Sequence, residues 1–328
     1  SQYIDGFDQN YFTDISNSFN TYQNYTHYSI TIPNNNTVIT KSGNYLLSIL
    51  DDNEEVVSSR RFVYYESNAT VGVSVVRSRN ALTVNTQQTV EFSVYYPNIP
   101  VKIPEREINV VLIKNNNWNK TITGLQPTFF KQNQLQYSYT NKTNFWADNE
   151  YLNFDSKIIR NNSMNVVRVE RKDLFHHYIY PFEYDKYQNY RYNPDINGQF
   201  VIRTLEGNDL ATEADYAVMH FSLLAEAPFL EKAVHVYGAF NNFDIEHETR
   251  LYYDETKKMY QGEILLKQGF YNYTFATVDD YGEVNTHEIN GSYFETENEY
   301  NVIVYYKPIG GFYDRVIGIG TGFFNLDR

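Results

Sequence analysis

Residues 233–275 read AVHVYGAFNNFDIEHETRLYYDETKKMYQGEILLKQGFYNYTF. The first eight, 233–240, alternate small or apolar residues with aromatic ones, the pattern of a half-buried strand. Gly238 near its end permits close approach of another backbone or side chain. Asn241-Asn242 turns the chain. Residues 260–266 form a second expected strand, Lys267-Gln268-Gly269 a tight turn, and 270–275 a third. In that third strand Phe270, Asn272 and Thr274 share one face, and Tyr271, Tyr273 and Phe275 the other. Two strands joined by a short glycine-containing loop make a hairpin. The stretch therefore predicts one unit of a β-sandwich.

Working outward, the same grammar recurs. Strands are expected at 25–32, 44–50 and 56–65, with the acidic loop 51–55 between the last two. Pro33 and Asn34-Asn35-Asn36 stop the first of them. Too few strands precede residue 68 to cover these faces, so part of a first sandwich is expected upstream. Ser1 is not an initiator Met, which predicts a longer precursor. A second module opens with strands at 71–76, 89–96 and 108–114. It continues through 135–139, 151–154 and 166–169 and closes at 199–204. Residues 206–213 are polar and read as a linker. The last module runs from the strand at 216–224 to strands at 302–306 and 316–319. No window sustains a helical period over a dozen residues. The fold class expected is all-β, as tandem immunoglobulin-like or early-set β-sandwiches. Its divisions are 1–68, the remainder of an N-terminal domain; 69–209, a central domain; and 210–328, a C-terminal early-set-like domain.

Composition agrees. A chain of 328 residues accommodates about three modules of roughly 100 residues each. It carries 32 Tyr and 22 Phe against 3 Met and 2 Trp. Tyr suits a pleated surface that is apolar on its flank and wet at its hydroxyl. The formal net charge of −13 repels phosphate backbones, and no basic stripe offsets it, so nucleic-acid binding is excluded. The same sign disfavours anionic lipid surfaces. There is no cysteine, hence no disulfide, thiolate metal site or cysteine nucleophile. No apolar run reaches the roughly 18 residues of a membrane span.

Motifs for chemistry fail one by one. His247-Glu248 and His287-Glu288 begin like zincin motifs, but Leu251 and Gly291 stand where the second His belongs. His176 and His177 are adjacent, and a strand sends neighbours to opposite faces, so they cannot chelate one ion together. The run Gly318-Ile319-Gly320-Thr321-Gly322 resembles a phosphate loop, yet no helix follows it. The acidic runs 51–55 and 279–280 read as turns. No catalytic residue, cofactor or metal is expected. What remains is aromatic surface. Residues 175–192, FHHYIYPFEYDKYQNYRY, are the densest aromatic segment. Tyr178, Tyr180, Phe182 and Tyr184 share one parity, with Pro181 breaking the ladder. They are the candidate partner-docking residues, set against burial under a neighbouring module.

An ordered set of segments resembles the type IX secretion system plug protein family of Bacteroidetes. The set is YIDGF (3–7), YSITIPNN (28–35), KSGNYLLSI (41–49), NPDINGQFVIRT (193–204), VYGAFNNF (236–243) and YYKPIGGFYDRVIG (305–318). The resemblance implies tandem β-sandwiches, export to the periplasm, and no enzymatic activity. It implies a soluble protein without direct membrane insertion, held in a larger complex. There it would close the periplasmic mouth of the outer-membrane translocon barrel when no substrate is engaged. The last module also resembles the early-set domains that accompany starch and glycogen enzymes. In that resemblance Phe243 stands where a glucan-stacking Trp commonly follows the Asn-Asn pair, with Tyr281 on the following hairpin. A periplasmic carbohydrate-binding or carbohydrate-processing protein is therefore the alternative expectation.

Overall fold

The computed structural model describes residues 3–185 and 187–324. Strands make up 48% of it and helix 3%, so the all-β expectation holds. The one α-helical turn among the described residues is Pro104–Glu107. The opening stretch forms the strands Lys232–Tyr237, Met259–Lys267 and Gly269–Asp279. Between them lies a strand the periodicity did not single out, Arg250–Asp254.

Two sandwich bodies emerge, and the chain is nested rather than serial. In the first body a five-stranded sheet is built from Thr70–Arg77, Gln87–Tyr95, Phe129–Lys131, Gln134–Tyr137 and Asn144–Trp146. The facing sheet is ordered Asn117–Ile122, Ile108–Lys114, Asn298–Tyr306, Arg315–Phe324. Val302 lies opposite Leu112 and Val304 opposite Val110 in its antiparallel register. Alternate residues point inward, so Val90, Phe92 and Val94 meet Val110, Leu112, Val302 and Ile317 in one core. The second body uses residues 152–285 in one curled sheet system. Phe154, Met219, Phe221, Val236, Tyr271 and Phe275 fill its core.

The expected division at 209/210 is not a division of the sheets. Leu152–Asp155, Phe175–Ile179, Phe182–Glu183 and Phe200–Ile202 all pair with strands beyond residue 210, and Asn298–Tyr306 pairs back with Ile108–Lys114. The second body is an insertion in the first. The segment 206–213, read as a linker, is an internally bonded loop: the Asn208 and Asp209 N–H groups donate to the Glu213 carboxylate.

The glycine run near the end of the chain has a packing role. A Cβ on Gly318, Gly320 or Gly322 would lie 2.6, 2.5 and 2.6 Å from Ala69 O, Val71 O and Val73 Cγ1 respectively. Period-two glycines thus let strand Arg315–Phe324 pass against the chain at 69–73.

Residues 3–66 stand apart from the two sandwich cores. They form three two-stranded ribbons, and Ile39 is their one buried apolar side chain among the described residues. The ribbons lie on both bodies. Tyr22 packs edge-on against Phe175 at 5.0 Å, and the Tyr25 hydroxyl donates to Ala214 O at 2.7 Å. On the first body, the Tyr305 hydroxyl donates to Asn44 Oδ1 at 2.9 Å, and Arg315 pairs with Glu66.

The two crossings between the bodies, near 148 and 286–297, are knitted by a buried polar cluster. Asp148 Oδ2 accepts from Lys114 Nζ at 2.6 Å and from Lys120 Nζ at 2.8 Å, while Thr286 donates to Oδ1 at 2.7 Å. The Lys114 side chain is 2% exposed and donates to Trp146 O and Ala147 O as well. Although burial opposes ionisation, the two ammonium groups hold the Asp148 carboxyl well below its usual range. Asp195, in the turn beneath, behaves oppositely. Desolvation, with Glu150 and Glu297 nearby, pushes its carboxyl up to about 7 despite bonds from the Tyr151 and Asn197 N–H groups.

Candidate docking surface

The aromatic segment enters as strand Phe175–Ile179, antiparallel to Val166–Arg171 and parallel to Tyr216–Leu224. Its odd positions face in. Phe175 and Ile179 join the core, and His177, fully buried, donates Nε2–H to Ile159 O at 2.7 Å. Its even positions face out, as alternation requires.

Tyr178 lies in a lateral ladder across four strands. Its hydroxyl donates to Glu170 Oε2 at 2.8 Å, and that bond pushes the phenol upward. Its ring stacks on His220 at 4.3 Å, and the Arg168 guanidinium sits 3.7 Å from the ring centroid. Tyr180 follows on the same face and is 65% exposed. Pro181 then shifts the phase. Phe182 and Tyr184 pack against the core, with rings 6.0 Å from Phe275 and 5.2 Å from Phe229. The four candidates therefore do not make one patch: two lie on the outer face and two support it from within.

The glucan-stacking pair is not brought together. Phe243 is 3% exposed, packed with Tyr237, Tyr151 and Ala276 where the two bodies meet, and Asn119 Nδ2 donates to its carbonyl at 2.8 Å. A ring enclosed in this way offers no face to a sugar, which corrects the expectation for that residue. Tyr281 stands alone on a hairpin tip, 93% exposed.

Two groupings were missed from sequence. The first is the apolar surface of the N-terminal ribbons, where Phe7, Tyr11, Phe19, Leu46, Val56 and Val57 are all exposed. Phe7, Tyr11 and Phe19 belong to a run of aromatics interleaved with Asn, Asp and Ser in 1–40, a pattern that does not by itself tell which rings stay uncovered. The second is the meeting of His176 with His220. His176 Nδ1 lies 2.8 Å from His220 Nε2, and Glu263 Oε2 lies 3.5 Å from His220 Nδ1. The two histidines are 44 positions apart, and nothing local announces the pairing. No helix among the described residues is long and apolar enough to cross a membrane.

Comparison with known proteins adds three findings. A crystal structure of a hypothetical protein from Parabacteroides merdae ATCC 43184 matches with a TM-score of 0.92 and 29% identity, over 98% of this chain and 82% of that one. The nested two-body architecture is thus shared with that protein. No curated protein matches the chain. The N-terminal ribbons match a family model described as Type 9 secretion system plug protein 1st domain. Over residues 1–66, this chain matches the first domain of the type IX secretion system plug proteins.

Proposed function

We propose that this chain is a non-enzymatic periplasmic plug. It docks at the periplasmic mouth of the type IX secretion translocon barrel in the outer membrane and closes its channel at rest. The observation that carries this reading is the coincidence of the family match with the N-terminal ribbons. Those ribbons hold exposed apolar side chains and span both sandwich bodies. A steric plug needs a rigid body and a reversible interface with aromatic anchors and a polar rim. The sandwiches supply the first, and the ribbons supply the second. Tyr178 and Tyr180 belong to the docking face, with Phe182 and Tyr184 behind it. The net charge of −13 sets the sign of the complementary surface on the partner.

Pull-down from native outer membranes tests the reading. A very large barrel protein should co-elute, and a deletion strain should admit large antibiotics while still secreting. A strain as tight as wild type, or co-elution of unrelated soluble proteins alone, overturns it.

A further inference from the structure

The outer face of the second body carries a grouping that the docking proposal does not use. His176, His220 and Glu263 come from three adjacent strands, Phe175–Ile179, Tyr216–Leu224 and Met259–Lys267. One potential donor atom from each lies within 4.8 Å of the other two. The imidazole nitrogens His176 Nδ1 and His220 Nε2 are aimed at each other at 2.8 Å. The opposite nitrogen of His220 faces the Glu263 carboxylate at 3.5 Å. A carboxylate beside one imidazole nitrogen favours the proton on that nitrogen, which leaves the lone pair on the other. Tyr178 stacks on the His220 ring at 8° interplanar angle and 4.3 Å, which holds that ring in plane.

We propose that His176 Nδ1 and His220 Nε2 bind a late first-row divalent ion of the Zn²⁺, Cu²⁺ or Ni²⁺ class, with Glu263 as the orienting carboxylate. Imidazole pairs suit these ions. The 2.8 Å contact is a hydrogen bond that His176 Nδ1–H donates when His220 keeps its Nε2 lone pair, so the ion replaces that bond: the His176 proton moves to Nε2, and arms of about 2.0–2.1 Å set the two nitrogens roughly 0.5 Å further apart. Water fills the remaining positions, since the site lies at the surface. Neutral imidazole is required, and burial pushes His220 below its ordinary value, with Glu263 opposing. The charged groups around it are Glu170, Lys172 and Arg168 from the adjoining strand and its end, with Glu263 on the far side. The ion would clip the parallel strand pair together. This departs from the expectation of no metal, which considered His176 only with His177.

Titration calorimetry of the full chain with ZnCl2 tests the site. One Zn²⁺ should bind per chain near pH 7.5, with affinity falling as pH drops to 5.5 and the imidazoles protonate. His176→Gln and His220→Gln should each weaken binding tenfold or more, and Glu263→Gln about 10–100-fold. A double His176→Gln, His220→Gln chain that binds Zn²⁺ like wild type overturns the proposal, as does absence of binding at millimolar Zn²⁺. Should the His variants misfold, Cu²⁺ electron paramagnetic resonance on the wild-type chain decides. Coupling to two imidazole nitrogens supports the site, and oxygen-only coordination refutes it.

Discussion

The crossing at Asp148, where His287 lies 3.8 Å from the carboxylate and stacks on Trp146, and the outer ladder at Tyr178 draw on the same repertoire of side chains: a carboxylate, a cation, an aromatic and a histidine. At the crossing, Lys114 is 2% exposed and both Asp148 oxygens are filled by fixed donors. On the ladder, the Arg168 and Glu170 side chains are 56% and 36% exposed at their 2.7 Å ion pair. Water competes for every contact there, and salt screens what remains. Removing one partner from the dry cluster strands an unpaired charge, whereas removing one from the wet ladder exposes it to solvent. Similar side chains thus lock a buried crossing in one place and stay in contact with solvent in the other.

The largest expected effect follows from that contrast. Asp148→Ala should destabilise the protein by about 3–5 kcal/mol in urea unfolding, because two ammonium groups lose their common counter-charge. A loss below 1 kcal/mol would erase the distinction between the two clusters. Gly320→Val comes next, at about 1–3 kcal/mol, since its Cβ would lie 2.5 Å from Val71 O. At the small end, Tyr178→Phe removes one surface hydrogen bond and should cost no more than about 1 kcal/mol. Tyr180→Ser should leave stability unchanged while weakening capture of the barrel.

Acid sharpens the same comparison, because the two carboxyls at the crossing have opposite signs. Asp148 is depressed in the folded state, so its contribution is present above the ordinary carboxyl range and is lost only as pH falls well below it. Asp195 is raised to about 7, so its contribution is full below about pH 4 and is lost as pH rises through 7. Asp195→Asn should therefore flatten the decline in stability between about pH 4 and 7 in denaturation curves. An unchanged slope would mean that Asp195 is not desolvated.

Local pattern made the strands legible. The hairpin read at 44–50 and 56–65 is Gly43–Leu50 and Val56–Tyr64, and the strand read at 216–224 is Tyr216–Leu224. Alternation also sent His176 and His177 to opposite faces. Pairing across the chain was not legible. Nothing near Val302 announces that it lies opposite Leu112, so the serial division of the chain missed the nesting. The same blindness hid His220 from His176 and left Phe243 on the surface, because the body that covers it comes from another part of the sequence. The glycines at 318, 320 and 322 resemble a phosphate loop in sequence, yet no helix follows them. Their period of two, rather than a loop-to-helix context, was the clue to sheet contact.

Nesting has a consequence for how the molecule comes into being. A chain delivered from its N-terminus presents residues 70–146 long before 298–324, yet those late strands complete the first sheet pair. Until they arrive, Val90, Phe92 and Val94 have only part of their cover. The strands of the inserted body pair within 152–285 alone, so all of its ladder partners precede the strands that complete the first sandwich. Strand Arg315–Phe324 thus closes a sheet edge: it pairs along Asn298–Tyr306 and packs against residues 69–73, so a chain without it leaves the 298–306 edge unpaired.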